Sequence, residues 1–259
     1  MTDNSDDRLF LARIDDLAQE AENKGYITFS DFLDDHKQSL LAQSVGRLSV
    51  CMKRTGGFEE AERVIAVFYP SYPEDMLQDV IDAELFLLKI TLADQRFLKK
   101  IPEHRDYLGA ILGTGIKREK VGDILLSEDG AYVWTLSEIV PYLIQELTSV
   151  GTALVSVKQV EKTEMPAPPK GKEEVISVSS LRLDAMISHG FRMGRTEAAK
   201  VIRAGLVFRS GVMVQDPDKQ VIEVDKLTLR GRGRLVVKNI IGVSRSGRTQ
   251  VTIEVFGKK

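Results

Sequence analysis

The chain has 259 residues, of which 43% are hydrophobic and 29% charged, and its formal net charge is −2. That leaves room for two or three small domains with ordinary globular cores, and no run approaches the ~20 apolar residues of a membrane span. The acidic start MTDNSDDRLF lacks the basic-then-apolar order of a signal peptide, and the single Cys51 excludes an intrachain disulfide, so a cytoplasmic protein is expected.

Leu9, Ile14, Leu17 and Ala21 recur at helical spacing and predict an amphipathic helix over residues 5–23. Tyr26–Phe29 predicts a short strand, and Asp34 or Asp35 caps a second helix running through Leu41. Arg47–Met52 and Ala61–Tyr69 predict two strands around Gly56-Gly57, and Pro70 and Pro73 punctuate their end. Residues 1–73 are therefore expected to be a small α+β domain.

From Glu74 the pattern is clearer. A helix at Glu74–Asp82 leads into a strand at Glu84–Leu92 and a helix from Pro102 to Leu112, with Gly113 at its stop. Gly122–Ser127 and Ala131–Leu136 predict a hairpin around Glu128-Asp129-Gly130. A helix over Ser137–Leu147 and a strand at Ala153–Val160 complete the order βαββαβ, that of a ferredoxin-like domain over 74–160. RRM domains share this order and stack bases on sheet aromatics. Here the strands offer Phe86, Tyr132 and Trp134 without a Gly-Phe-Gly-Phe type motif, so fold analogy alone does not carry RNA binding to this block. Residues 161–174, EKTEMPAPPKGKEE, predict a semi-rigid linker.

The last third differs in charge. Residues 180–259 hold 16 Lys and Arg against 7 Asp and Glu, a net of +9, and the preceding residues carry 20 basic and 31 acidic side chains, a net of −11. A basic third on an acidic body points to nucleic acid. Ser179 and Ser180 are candidate caps for a short helix that Gly190 can stop in a left-handed conformation, and a second helix over Arg195–Ala204 ends at Gly205 and runs into Leu206-Val207-Phe208. On that second helix Ala198, Val201 and Ile202 share one face, with Arg195, Lys200 and Arg203 beside it. Strands are expected at Val212–Val214, Val221–Val224, Leu235–Val237, Asn239–Val243 and Gln250–Phe256, with turns at Asp216-Pro217-Asp218 and Arg245-Ser246-Gly247-Arg248. Arg230-Gly231-Arg232-Gly233-Arg234 reads as a turn on the RNA side, its glycines letting backbone approach phosphates.

Arg182-Leu183-Asp184, then Gly194-Arg195-x-x-Ala198-x-x-x-Ile202-x-x-Gly205-x-Val207-x-x-x-Gly211, resembles the S4-type RNA-binding domain, placing such a domain at 175–259. In that family two helices and a β-turn present basic residues to structured RNA. Gly194 stands where Ser is usual and Arg209-Ser210 where Val-Asn is usual. The resemblance implies RNA contacts at Arg182, Arg192, Arg195, Lys200, Arg203 and Arg209, with Arg230, Arg232 and Arg234 added by the turn. Residues 104–126, HRDYLGAILGTGIKREKVGDILL, together with Phe29-x-Asp31-Phe32-Leu33-Asp34, resemble the YlmH family of bacterial S4-domain proteins over essentially the whole chain. That resemblance implies an RNA-binding protein of the large ribosomal subunit and adjoining tRNA. It also implies a link to ribosome-associated quality control and its factors, and genes near those of cell division. Within the central run Arg105, Lys117, Arg118 and Lys120 form a possible second phosphate or protein contact surface, against a reading as a solvated helix start and charged loop.

Enzymatic motifs are sparse. His104-Arg105-Asp106 has no phosphate loop or Asp-Phe-Gly beside it, and Gly113-x-Gly115 lacks the third glycine of a dinucleotide fingerprint. His36, His104 and His189 are far apart, so no metal site and no cofactor are expected. Pseudouridine synthases carry an Arg-Leu-Asp with a catalytic Asp, but here the triplet opens the first helix of the binding module, with Leu183 inward and Arg182 and Asp184 on the surface. The reading is a non-catalytic RNA-binding protein. The alternatives are an RNA-modifying enzyme of pseudouridine synthase type or its guide subunit, and a cell-division scaffold.

Overall fold

Helices and antiparallel sheets alternate in blocks along the computed structural model, which describes residues 4–44, 46, 49–59, 61–70, 73–93, 98, 100–168, 170–244 and 247–257. The class is α+β, in two compact units, Met1–Pro168 and Pro169–Lys259. Arg47 and Leu48 of one expected strand, and Arg245 and Ser246 of the expected last turn, lie outside the described residues.

The first unit begins with α1 (Asn4–Lys24), β1 (Thr28–Phe29), α2 (Asp35–Ser44), β2 (Cys51–Thr55) and β3 (Ile65–Tyr69). The stripe Ile14, Leu17, Ala18 and Ala21 makes α1 amphipathic and buries it against Leu41, Ala66 and Phe68. The small sheet runs β1-β3-β2, and β3 is buried on both faces. Successive side chains on a strand point to opposite faces. Ala66 and Phe68 therefore meet α1, while Ile65 and Val67 meet the next block.

That block comprises α3 (Glu74–Glu84), β4 (Leu85–Leu92), α4 (His104–Gly113), β5 (Val121–Ser127), β6 (Gly130–Leu136), α5 (Val140–Glu146), β7 (Ser149–Val150) and β8 (Ala153–Val160). Its antiparallel sheet has the order β5-β6-β4-β8-β7. The expected helix from Ser137 opens instead as a 3₁₀ turn, Ser137–Ile139, before α5, whose second residue is Pro141. Proline has no N–H to lose at a helix start, so it favours a new beginning there. One sheet face packs on Tyr107, Ile111 and Leu143 of α4 and α5. The other carries Leu87, Tyr132 and Trp134, and these share one cluster with Phe32, Ile65 and Val67.

One core thus spans the boundary expected at residue 73. Backbone bonds reinforce it: Phe32 N–H donates to the Glu119 carbonyl at 2.8 Å. The Asp123 carboxylate accepts from the N–H groups of Glu62 at 2.6 Å and Arg63 at 3.1 Å. Arg63 donates to the carbonyls of Val121 at 3.0 Å and Phe32 at 3.1 Å. The N-terminal block also closes the face on which RRM domains stack bases. Trp134 is fully buried beside Phe58, ring centroids 6.4 Å apart. Gly57 lies so close that a Cβ there would come within 2.5 Å of the indole. Tyr132 is buried on that face as well, and Phe86 packs on the opposite one.

The linker expected over 161–174 is shorter than its composition suggests. Lys162 pairs with Asp82, and the Trp134 indole N–H donates to the Met165 sulfur at 3.4 Å. At the other end Lys172–Val178 is a strand, β9, supplied with ladder partners by the last strand of the chain.

In the second unit β9 is followed by α6 (Leu183–Gly190), α7 (Arg195–Arg203), β10 (Val207–Arg209), β11 (Val212–Met213), β12 (Lys226–Leu229), β13 (Gly233–Val243) and β14 (Thr249–Phe256). The sheet order is β11-β10-β12-β13-β14-β9. Leu183, Met186, Ile187, Ala198 and Ile202 pack onto one sheet face, against Val207, Leu227, Leu229, Leu235, Val237, Val251 and Ile253. Val221–Val224 is not a strand: Val224 has φ +62°, outside β space. The strand lies just after it instead, as β12. The two strands expected over 235–243 are one, broken by register shifts after Val237 and Ile240. Ser179 and Ser180 do not cap α6, whose flanking residue is Arg182. Gly190 is not left-handed either. That conformation falls on Arg192, with φ +51°, while a Cβ on Gly190 would sit 2.0 Å from Leu235 Cδ1. Close packing, not backbone freedom, requires that glycine.

Candidate nucleic-acid interface

α6 and α7 are joined by one carboxylate. Asp184, in the first turn of α6, is only 4% exposed. Arg182 donates to it from Nε at 3.2 Å and Nη2 at 2.9 Å. Arg195 donates from Nε at 3.1 Å and Nη2 at 3.1 Å. Two guanidinium forks therefore close on one carboxylate, the strongest geometry available to such pairs. Burial pushes the Asp184 carboxyl up, but the hydrogen bonds and charges of the two arginines outweigh it and hold it below its usual range. Asp184 was expected on the surface. It is buried, with the guanidinium groups of Arg182 and Arg195 both closed on it.

The consequence is orientation. Arg195 spends two N–H groups on Asp184, yet its side chain is 48% exposed, leaving donors for an outside acceptor. Lys200 and Arg203 are exposed further along α7. Ala198 and Ile202 are fully buried on the other side, so the helix is packed on one face and cationic on the other. The turn between β12 and β13 lies alongside. Arg230 N–H donates to the Leu206 carbonyl at 2.9 Å, and Arg232 approaches Glu197 of α7 at 3.7 Å. Arg195, Lys200, Arg203, Arg230 and Arg232 thus belong to adjoining elements.

The remaining sequence-derived residues are placed differently. Arg182 is half-buried, shared between Asp184 and Asp218. Arg209 is tied to Asp225 at 2.7 Å and to the Gln220 carbonyl at 3.3 Å, and Asp225 also accepts from Ile222 N–H at 2.8 Å. Arg209 therefore pins the 220–225 turn. Arg192 is exposed and contacts Glu174 of β9 at 3.0 Å. Arg234 is half-buried, its guanidinium 4.3 Å from the Phe256 ring centroid.

In the first unit α4 starts with Glu103 N–H bonded to the Asp106 carboxylate at 2.8 Å. Arg105 is exposed beside Glu103, 3.4 Å away, and Lys117 is exposed on the loop that follows. Arg118 and Lys120 are engaged internally. The Arg118 guanidinium donates to the carbonyls of Val121 and Gly122, and burial together with neighbouring Arg63 pushes its pKa down to about 10. It remains cationic at neutral pH. Lys120 bridges Asp31 and Glu138, each at 2.6 Å. Of the four residues of the expected second surface, Arg105 and Lys117 are the exposed ones. Among the described residues no group of three or more His, Cys, Asp and Glu is arranged to hold a metal ion, and no helix is long and apolar enough to cross a membrane.

Comparison with known proteins adds three findings. The family model described as "Putative RNA-binding domain in YlmH" matches residues 80–164. The chain is 31% identical over 252 residues to the "Ribosome-associated protein quality control protein P2" of Bacillus subtilis (strain 168), covering 96% of this chain and 95% of that protein. The solved structure "Cell division protein ylmH from Streptococcus pneumoniae" superposes with a TM-score of 0.51 at 24% identity, covering 61% of this chain and 93% of that one, a likeness of fold.

Proposed function

Because the chain belongs to the YlmH family of bacterial S4-domain RNA-binding proteins, we propose that it is a non-catalytic RNA-binding protein of ribosome-associated quality control. Its target is structured RNA of the large ribosomal subunit with adjoining tRNA, in the cytoplasm. The observation that carries this reading is the exposed cationic side of α7, with Arg195 aimed by a buried Asp184 and the Arg230–Arg232 turn alongside. The net charge of +9 over residues 180–259 supplies the long-range attraction.

The C-terminal unit is read as the S4-type domain and residues 74–160 as ferredoxin-like. With the sheet face shut over Trp134, that central block meets ribosomal proteins, RNA margins or quality-control factors through Arg105 and Lys117. Contacts of this kind go to phosphates, which position a protein without reading sequence, so specificity comes from RNA shape.

The test is co-sedimentation of the full chain and an Arg195→Glu/Arg203→Glu variant with free large subunits, across salt. The wild type should travel with the subunit and the folded variant should stay behind. Wild-type binding should fall by about 0.7–0.9 log units per log unit of salt for each phosphate neutralised. If wild type and variant co-sediment alike, docking resides in the first unit and the α7 assignment is wrong. If neither moves with the subunit, the ribosomal target is wrong.

A further inference from the structure

The second unit has a sheet face that the helices do not use. Directly paired residues of neighbouring strands place their side chains on the same face. Four strands align such a row: Phe208 pairs with Thr228, Thr228 with Arg234, and Arg234 with Phe256. Val207, Leu229, Leu227 and Leu235, which alternate with these positions, point into the core and are buried. The row therefore lies on the side of the sheet away from α6 and α7.

Both phenylalanines carry a guanidinium. Arg234 lies over Phe256 with 4.3 Å to the ring centroid, and Arg230 lies over Phe208 at 5.5 Å. The backbone is shaped for this. Gly233 has φ +133°, and a Cβ there would come within 2.1 Å of the Phe256 carbonyl oxygen. Gly231 has φ +80° with open space around it. The two glycines lie in the turn between Arg230 and Arg234, the two arginines that meet the rings. The next row, Lys226, Val236, Glu254 and Glu173, mixes both signs of charge, so the cationic aromatic character is confined to this end.

We propose that the Phe208–Arg230 and Arg234–Phe256 pairs form a stacking platform for unpaired bases of RNA. The inference rests on the RNA-binding reading above and adds a ligand class to it: bulged or single-stranded nucleotides rather than duplex alone. A guanidinium laid on a phenyl ring presents a flat cationic plane. Bases stack on such planes and on aromatic faces, while the charge draws in the adjacent phosphate. In a duplex the base faces are already stacked on one another and unavailable. α7 would hold the paired RNA and the sheet row would take the bases that leave it.

The test uses the full chain and two RNA hairpins with the same stem, one fully paired and one with a bulged 2-aminopurine flanked by adenine. The wild type should bind the bulged hairpin about tenfold more tightly, one base stack's worth, and change the emission of the 2-aminopurine. Phe256→Leu and Phe208→Leu each remove one ring and leave every charge in place. Both should lose the tenfold preference while binding the paired hairpin with an unchanged salt slope. Equal binding of the two hairpins by the wild type, or a preference that survives in both variants, overturns the platform and leaves the α7 interface standing. A wild type that binds neither hairpin removes the RNA reading itself. Glutamate-rich peptide competing as well as the bulged hairpin would mean that charge alone is recognised.

Discussion

Asp184→Ala is expected to cost the second unit about 3 kcal/mol, the lower end of the penalty for breaking a buried ion pair. The lower end applies because the stranded charges are not fully buried: the Arg182 and Arg195 side chains are 32% and 48% exposed and can turn toward water. At about 4–8 °C per kcal/mol for a domain of this size, the unit's melting temperature should fall by roughly 12–24 °C. The effect should be local. Hydrogen exchange should rise across α6 and α7 while the fluorescence of Trp134, the single tryptophan, which lies in the other unit, melts as before. An unchanged melt would show that Asp184 does not organise the helix pair.

The same carboxylate sets an acid limb. Its folded pKa is depressed by Arg182 and Arg195, so its contribution is complete above the unfolded value, about 3.9, and is lost as pH falls through the folded value. Asp184→Asn should flatten the stability profile below about pH 4 and lower the plateau above it. RNA affinity should fall with it at neutral pH, since Arg195 loses the partner that aims it, although no positive charge has been removed.

Much of the fold is legible in the chain, and the reason is locality. α7 is fixed by apolar spacing within nine residues and by Gly205, whose φ of +71° ends it. The hairpin between β5 and β6 turns at Gly130, where a Cβ would meet the Ile90 carbonyl. What stays hidden is decided by distant partners. β9 begins with Lys172-Glu173-Glu174 beside a proline-rich stretch, and only pairing with β14 makes it a strand. β12 follows a left-handed Val224 and owes its place to β10 and β13 on either side. Asp184 reads as a solvated helix-start acid until Arg195, eleven residues on, is folded back onto it. The row from Phe208 to Phe256 joins residues 48 apart in sequence through three ladders, which no local pattern announces.

The second large effect is expected at Trp134. Trp134→Ala should destabilise the first unit by about 3–5 kcal/mol, the cost of deleting a large buried aromatic side chain and leaving a cavity. The indole is 0% exposed, in a cluster that includes Phe32, Ile65 and Val67 from the N-terminal block and Leu87 and Leu136 from the central sheet. Its loss therefore loosens the joint between the two blocks as well as the sheet. Phe32 and Gly57 both abut the ring or its neighbours, and a Cβ at Gly122 would meet Phe32 at 2.7 Å, so the site has little slack to collapse into. Trp134→Phe should recover part of the loss, since it refills most of the volume but forfeits the bond to Met165. Urea unfolding followed by circular dichroism measures both variants, because the fluorescent reporter is gone. RNA affinity decides what the residue is for. If Trp134 stacked a base, as sheet aromatics do in RRM domains, Trp134→Ala would weaken RNA binding and leave stability intact. The packing requires the opposite: a large drop in stability, with the affinity of the still-folded fraction for a paired hairpin unchanged.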